Sequence, residues 1–307
     1  MSIAKNSLGY RTPVVGLVCV AALASALAAG SAKADCLLSI QPGQDQWLIN
    51  YEPFAQDEVA RSFDVAVINQ GDTACSGTLS VDLRGERFGL GQAGSTNRVP
   101  YALIDESAGS DLTPRAGQSA RRLNARPVNV GPGERSLLRF AFAASTDDLI
   151  SSGVYSQEAF ISVQNDKGLP LAERSVNLAV NVIPAAVMGL KGAFQRNNGV
   201  ATIDLGDLVA GTKSLDTALY VLSTGGYNVS VSSRNQGQLR QATGNWSIVY
   251  SLIVGEHGMN LSAPRDFSVP SNVARFDNYP LSVNIGSIAA KRAGVYSDTI
   301  TFTVAAI

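Results

Sequence analysis

The sequence of 307 residues is long enough for two domains of ordinary size, each with its own hydrophobic core. Charged residues make up 16% of the chain, the formal net charge is −1, and no block of basic residues is present that could hold phosphates. This composition argues against a nucleic-acid partner and suits a β-rich exported protein better than a cytosolic enzyme.

Residues 1–34 have the three parts of a secretory signal peptide. Lys5 and Arg11 give the positive start, Val14–Ala29 form the apolar run, and Ala32-Lys33-Ala34 is a small-x-small cleavage site. The apolar run is short for a membrane span, so we expect cleavage after Ala34 and export. The mature chain would then carry 21 basic and 25 acidic residues, a net charge of −4.

Two cysteines remain once Cys19 leaves with the signal peptide, namely Cys36 and Cys75. An even pair in an oxidising compartment predicts a disulfide. It would tie the first strand, 36–40, to the segment after Ile68 and stabilise the fold by about 4 kcal/mol in the chain-entropy model. A metal site would need more ligands than two cysteines and the distant His257, so we predict no metal and no cofactor.

The first half of the chain contains short strand-like runs separated by loops that are rich in Gly, Ser, Asn and Pro. After 36–40, the predicted strands are 62–68, 77–83, 101–104, 137–142, 153–163 and 175–183. The longest loop runs from about Asp105 to Gly133. No long helical period is present, and strands spaced in this way are typical of an antiparallel β-sandwich.

The second half begins after Pro184, where Ala185-Ala186 is predicted to be a short linker. Its predicted strands are 187–194, 200–208, 215–222, 227–232, 246–254, 281–285 and 299–307. Gly225-Gly226, between two alternating runs, predicts a hairpin turn. The predicted fold class is therefore all-β, with two immunoglobulin-like antiparallel sandwich domains at 35–184 and 185–307.

The two predicted domains share a repeated element that begins with Gly-Val-Tyr-Ser, at Gly153–Ser156 and again at Gly294–Ser297. Each repeat follows an apolar strand and leads into alternating residues with one apolar face. After the first repeat the chain turns through Asn165–Gly168 into a further strand, whereas no strand follows the second repeat in this sequence. We therefore expect the first domain to be complete and the second to lack its last strand.

The sequence contains no recognisable catalytic pattern. Ser2-Ile3-Ala4-Lys5 matches Ser-x-x-Lys but lies in the predicted signal peptide, and His257 is the single histidine, in what is predicted to be an exposed turn. Pairs such as Asp147-Asp148 fit a solvated loop, although a glycosidase with two carboxylates far apart in sequence would leave no pattern. We predict a protein that is not an enzyme.

A sandwich without its last strand exposes an apolar groove and a row of unpaired backbone groups. Another chain could supply the strand, adding backbone hydrogen bonds and placing alternate side chains in the groove. The predicted groove residues are Ile300, Phe302 and Val304 on one wall, with Leu190 and Phe194, on the domain's first strand, on the other. All five could equally be ordinary core residues.

The second domain resembles the spore coat protein U family, which includes subunits of archaic (Csu-type) chaperone–usher pili. The resemblance covers roughly 187–307, and more loosely 36–183; the segments that carry it are 203–208, 226–231, 235–239 and 293–298. It implies export to the periplasm, capture by a periplasmic pilus chaperone, assembly at an outer-membrane usher, and a final strand from the N-terminal extension of the next pilus subunit.

Only Asp35 precedes Cys36 in the expected mature chain, so no extension is apparent that could donate a strand to another subunit. We therefore expect this subunit to lie at the end of a fibre. A two-domain tip adhesin, which mediates attachment or biofilm formation at the cell surface, has this position. Its receptor, a surface or a glycan, would meet loops of the first domain away from the linker, with Arg84–Pro100 and Asp105–Gly133 as the long loops. Possible contact residues are the apolar Phe88, Leu90 and Tyr101, and the basic Arg115, Arg121, Arg122 and Arg126. The alternatives are a solitary secreted carbohydrate-binding or hydrolytic protein, and a structural coat or matrix subunit.

Overall fold

The structure is a computed structural model that describes residues 36–55, 59–115, 127–144 and 146–307. The predicted signal peptide and Arg121, Arg122 and Arg126 lie outside the described residues. The elements of the described part of the chain are 24 β-strands, as predicted. Among the same residues there is no helix long and apolar enough to cross a membrane.

The first sandwich consists of twelve strands. They are β1 Leu38–Pro42, β2 Gln46–Tyr51, β3 Val59–Asn69, β4 Cys75–Asp82, β5 Leu90–Gly91, β6 Arg98–Val99, β7 Tyr101–Asp105, β8 Ser110–Asp111, β9 Val128–Val130, β10 Arg135–Ala144, β11 Gly153–Gln164 and β12 Pro170–Val182. Sheet I has the order β1-β3-β10-β7-β8. Sheet II has the order β2-β12-β11-β4-β9, with β5 on β11 and β6 on β5. All pairs are antiparallel except β2 with β12, which is parallel.

The second sandwich also consists of twelve strands. They are β13 Ala186–Gly192, β14 Gln195–Asn197, β15 Val200–Thr202, β16 Gly211–Ser223, β17 Tyr227–Ser233, β18 Gln238–Gln241, β19 Ser247–Val254, β20 His257–Met259, β21 Arg265–Val269, β22 Arg275–Ile285, β23 Tyr296–Ser297 and β24 Ile300–Ala306. Sheet III has the order β13-β16-β22-β19-β18-β23, with β20 on β19. Sheet IV has three strands, in the order β21-β17-β24, and β14 and β15 form a separate hairpin.

Each sandwich encloses its own hydrophobic core, because alternate side chains of the facing sheets point inward. The largest fully buried side chains are Trp47, Tyr155, Phe140 and Phe142 in the first core and Tyr227 in the second. The apolar residues of the two cores form separate clusters, one from strands β1–β12 and one from strands β13–β24. The exact domain boundary at Pro184 stays a prediction.

Each strand predicted for the first half coincides with an observed strand to within a few residues, but β2 and the short strands β5, β6, β8 and β9 were not predicted. In the second half the predicted hairpin at Gly225-Gly226 is wrong, because β16 and β17 lie in different sheets and this turn crosses between them. The predicted strand 200–208 ends at Thr202. Beyond it, Asp204 Oδ1 accepts a hydrogen bond from the Gly206 amide at 2.8 Å, and Gly206 has a φ of 60°, so the chain turns.

The predicted disulfide is present between Cys36 and Cys75, whose Cα atoms are 5.3 Å apart. Cys36 lies two residues before the start of β1 and Cys75 opens β4, so the bond joins the start of sheet I to sheet II. It lies at the pole of the first sandwich where β11 turns into β12, away from the linker.

Candidate functional site

The repeated element has the same local geometry in both sandwiches, at positions that are 141 residues apart. The Tyr155 hydroxyl donates to the Ser151 carbonyl at 3.0 Å, and the Tyr296 hydroxyl donates to the Arg292 carbonyl at 2.7 Å. In both copies the glycine before these tyrosines has a positive φ and lies against a glutamine that donates to the carbonyl one position earlier, Gln92 to Ser152 and Gln241 to Ala293. The two copies of the repeat therefore share their local structure as well as their sequence.

The strands that follow the repeats also pair in equivalent ways. Ile161 and Val163 on β11 lie opposite Val81 and Leu79 of β4, and Phe302 and Val304 on β24 lie opposite Val231 and Val229 of β17. Sheet IV, β21-β17-β24, therefore corresponds to the part β9-β4-β11 of sheet II. Sheet II continues beyond β11 with β12 and β2, whereas the described residues place no strand beyond β24. The second sandwich has a vacant slot at this edge.

The side chains beside the vacant slot are more exposed than their counterparts in the first sandwich. Ala159, Ile161 and Val163 of β11 are 0% exposed, whereas their equivalents, Ile300, Phe302 and Val304, are only partly buried. Across the described residues, the first core has 32 buried apolar residues and five partly buried ones packed on it, and the second has 15 and 14. Half of the second core is therefore incompletely covered.

The unpaired backbone groups of β24 belong to the residues whose side chains face the core. The Ile307 amide donates to the Gly226 carbonyl at 3.0 Å and the Arg234 amide to the Thr299 carbonyl at 2.9 Å. In an antiparallel pair only alternate residues point their backbone groups at the partner, so the odd-numbered residues of β24 bond to β17. The backbone groups of Ile300, Phe302, Val304 and Ala306 therefore face the vacant slot.

Strand β13 forms the opposite rim of the slot in the same way. The Thr224 amide donates to the Ala185 carbonyl at 3.0 Å and the Ala193 amide to the Asp216 carbonyl at 2.7 Å, so the odd-numbered residues of β13 face β16. Ala186, Met188 and Leu190 point their backbone groups the other way, and their side chains pack on the second core. Apolar side chains therefore line both rims of the slot.

Without a strand between them the two rims approach each other. Cα atoms of β13 come within 8 Å of Cα atoms of β24. Two strands that flank a third lie about 10 Å apart, so these Cα atoms are too close for a strand to lie between them. The rims must therefore separate before an additional strand fits between them.

The open edge of β24 carries none of the features that usually protect an edge strand. Its seven residues, Ile300–Ala306, include no charged side chain and no proline. At the other edge of sheet IV, β21 is short and presents the exposed charges of Arg265 and Asp266. Charged, short edges discourage pairing with another chain, whereas an uncharged and apolar edge invites it.

Asp298 fixes the start of β24. Its carboxylate accepts hydrogen bonds from the amides of Asn235 at 3.0 Å and Thr299 at 2.7 Å, from the Tyr250 hydroxyl at 2.7 Å, and from the Ser233 hydroxyl. Burial, together with the bond to Asp298, raises the pKa of Tyr250, so its hydroxyl stays a donor. This network separates β23 from β24 and holds β24 against β17.

The predicted groove residues are brought together only in part. Leu190, Ile300, Phe302 and Val304 all pack on the second core beside the slot. The prediction that Phe194 lies on the first strand is wrong: β13 ends at Gly192, and the ring of Phe194 lies 5.8 Å from the Arg196 guanidinium instead. A Cβ at Gly192, which has a φ of 107°, would lie 2.0 Å from the Asp216 carbonyl oxygen, so the chain can bend there only with glycine. Met188, which alternates with Leu190, was not predicted.

Two of the three apolar residues that were predicted to contact a receptor are buried. Leu90 is 0% and Tyr101 5% exposed, and both belong to the first core, where burial raises the pKa of Tyr101. Phe88 is partly exposed and packs on Tyr101 with ring centroids 4.8 Å apart. The loop Arg84–Pro100 also lies at the wrong pole, because Gly91 pairs with Ser156 near the start of β11, next to the linker.

The part of the loop 105–133 that the structure describes reaches the far pole. There β9 pairs with Cys75–Gly77, and the turn 131–134 precedes β10. Phe88 and Arg98 instead line a cavity of about 550 Å³ with Asp147 and Asp148, at the linker pole. Arg115, the one described member of the predicted basic group, forms an ion pair with Asp111 at 2.5 Å.

The described residues contain no group of three or more His, Cys, Asp or Glu side chains that could hold a metal ion. His257 is not in an exposed turn: it opens β20 and is partly buried, with its ring stacked on Phe267 at 4.0 Å between centroids.

Comparison with known proteins gives structural similarity only. No family model and no curated protein matches the sequence, so the resemblance to the spore coat protein U family stays a prediction. The structure is similar to the chaperone–tip adhesion subunit pre-assembly complex of the archaic chaperone–usher Csu pili of Acinetobacter baumannii, with 13% identity over 84% of this chain and 97% of that one and a TM-score of 0.43.

Two further solved structures are similar at lower scores. The CooA pilin subunit of enterotoxigenic Escherichia coli has 15% identity over 48% of this chain and 99% of that one, with a TM-score of 0.34. The adhesive subunit of the CFA/I fimbria of the same organism has 11% identity over 87% and 81%, with a TM-score of 0.30. With TM-scores below 0.5 these similarities carry no argument about function, which rests on the geometry of the chain itself.

Proposed function

We propose that this protein is a subunit of a chaperone–usher type pilus that is incorporated when another chain inserts a β-strand between β13 and β24. The observation that carries the proposal is the vacant slot, whose equivalent in the first sandwich is filled by β12 of the same chain. Strand insertion would satisfy the open backbone groups of β24 and cover the partly exposed side chains of the second core.

Strand β12 shows what the inserted strand would do. It runs antiparallel to β11 along its whole length, and Val176, Leu178, Val180 and Val182 fill the first core with exposures of 2% or less. The donor would likewise run antiparallel to β24, with apolar side chains at alternate positions. Before assembly, a periplasmic chaperone would cover the same edge, and an outer-membrane usher would receive the complex.

The direction of the donor favours a position at the tip of the fibre. Strand β24 ends at Ile307, which bonds to Gly226, and the neighbouring Thr224 accepts a hydrogen bond from the Ser152 amide of the first sandwich at 2.9 Å. An antiparallel donor therefore leaves the slot at the opposite pole, away from the first sandwich. The rest of the fibre would extend from that pole, and the first sandwich would project as an adhesive domain that meets a surface or glycan receptor and supports biofilm formation.

The experiment that tests the proposal supplies the missing strand within the same chain. Because equivalent positions are 141 residues apart, Ile307 corresponds to Asp166, and a copy of Lys167–Val182 appended after Ile307 would continue the repeat through the turn and β12. We call this protein the extended variant. Its matched control carries Val176→Ser, Leu178→Ser and Val180→Ser within the appended copy, which keeps its length and charge.

Both proteins and the unmodified chain would be expressed in a bacterial periplasm without other pilus proteins. We expect the extended variant to accumulate as a stable monomer, and the unmodified chain and the control to be degraded or to aggregate through the open edge. If the unmodified chain is already a monomer with the same unfolding temperature as the extended variant, the slot needs no strand and the proposal fails.

A further inference from the structure

In the first sandwich, the strand that fills the slot is paired on both of its edges. In the second sandwich, the slot has a pairing strand on one side, β24. In sheet II, β12 lies between β11 and β2, and it pairs with β2 in parallel, from Asn177 opposite Gln46 to Val182 opposite Tyr51. A filled slot thus has strands on both sides within one sheet, whereas among the described residues neither β12 nor β2 has a counterpart in sheet IV.

Chain order identifies the segment that corresponds to β2. Strands β1 and β13 are equivalent, since each is the first strand of its sandwich and pairs at the edge with the next long strand, β3 or β16. Strand β2 lies between β1 and β3, so its counterpart must lie between β13 and β16. Apart from the hairpin of β14 and β15, the chain there consists of residues 193–194, which are too few for a strand, and residues 203–210.

The side chains of this segment already alternate as those of β2 do. In β2, Trp47, Ile49 and Tyr51 are buried and the residues between them are exposed. In 203–206, Ile203 and Leu205 are partly buried against the second core, and Asp204 and Gly206 are exposed. The pattern is that of a strand with one apolar face, although these residues do not belong to a strand in the structure.

Two contacts hold the segment out of a strand. The Gly206 amide is bonded to Asp204 Oδ1 in a turn, and the Lys213 ammonium donates to the Leu205 carbonyl. Both are exposed, side-chain-mediated hydrogen bonds of small net strength, and the glycine allows the backbone to change its φ freely. Backbone pairing with an adjacent strand could replace them.

We infer that residues 203–206 become a β-strand when the donor strand enters, pairing with it in parallel and placing Ile203 and Leu205 beside its apolar side chains. This inference rests on the proposed function and names a second surface that the donor contacts, in addition to β24. Residues 203–206 would then form part of the groove that selects a donor with alternating apolar residues, and they would close over it after insertion.

Hydrogen exchange of the extended variant, followed by mass spectrometry or NMR, tests the inference. We expect the amides of 203–206 to exchange at least tenfold more slowly in the extended variant than in its serine control. We also expect Leu205→Ser to remove several degrees of the thermal stabilisation that the appended strand provides. Val209→Ser, at a side chain that is 68% exposed four positions later, is the matched control and should have no effect.

The outcomes separate the two proposals. If the extended variant is stabilised but the amides of 203–206 exchange as fast as in the control, the inference about this segment is wrong and the proposed function stands. If the appended strand gives no stabilisation at all, the proposed function itself fails. If Leu205→Ser does not fold, the exchange rates of the amides of 203–206 in the extended variant and its serine control still test the inference.

Discussion

Ile161 and Phe302 occupy equivalent positions of the two sandwiches. The loss of unfolding free energy when each is replaced by alanine measures how completely each core is covered. Ile161 is 0% exposed on β11, beneath β12, and Ile161→Ala should lower the free energy of unfolding of the first sandwich by about 2–5 kcal/mol. A buried phenylalanine truncated to alanine costs about 3–5 kcal/mol. Phe302 already meets solvent in the vacant slot, so we expect Phe302→Ala to cost about half of that, about 2 kcal/mol, in the unmodified chain.

The same substitution in the extended variant should cost the full amount, because the appended strand would cover the ring. Native-state hydrogen exchange gives a separate opening free energy for each sandwich, and the cost of Ile161→Ala, measured on β11, should be the same in both proteins. The reasoning is refuted if Phe302→Ala costs as much in the unmodified chain as in the extended variant, since the ring would then be buried without any added strand.

Three further predictions follow from particular contacts. Replacing both cysteines, Cys36→Ala with Cys75→Ala, should lower the stability of the first sandwich by about 4 kcal/mol and leave the second unchanged, as measured by exchange in each. Asp298→Ala should destabilise the second sandwich by about 1–3 kcal/mol and more than Tyr250→Phe does, because it leaves several donors at the start of β24 without an acceptor; equal effects in urea unfolding would contradict this. Hydrogen bonds from Arg275 and Tyr227 hold the pKa of Asp277 below its usual value, so its contribution to stability is present above about pH 4 and is lost as the pH falls through the lowered pKa. Unfolding of wild type and Asp277→Asn between pH 5 and pH 2 should show a smaller loss of stability in the variant, and equal losses would rule out this role for Asp277.

Much of the fold could be predicted because alternating side chains mark strands with one face in a core. The alternation of Ile300, Phe302 and Val304 predicted both a strand and its inward face, and the Gly-Val-Tyr-Ser repeat predicted that two sandwiches share local geometry. The same reasoning could have found β2, whose Trp47, Ile49 and Tyr51 alternate in the same way. Its parallel partner could not have been predicted, since pairing over 130 residues depends on how the sheets are assembled.

The errors arose where local sequence does not determine the tertiary environment. Leu90 and Tyr101 flank a polar loop, yet they are buried because β5 is a strand of sheet II and β7 is a strand of sheet I. Gly225-Gly226 has the composition of a hairpin turn, but a turn between two sheets has the same composition. Phe194 continues the alternation of β13, and only the bend at Gly192 removes it from the groove.

The measurement that tests the central claim most directly is residue-resolved amide exchange along β24, in the unmodified chain and in the extended variant. In the unmodified chain we predict an alternation, with Thr301, Thr303 and Ala305 protected by β17 and Ile300, Phe302 and Val304 exchanging fast at the open edge. In the extended variant all six amides should be protected, because the added strand accepts the remaining hydrogen bonds. Uniform protection of β24 in the unmodified chain, or fast exchange of its even-numbered amides in both proteins, would contradict the existence of a strand-accepting edge.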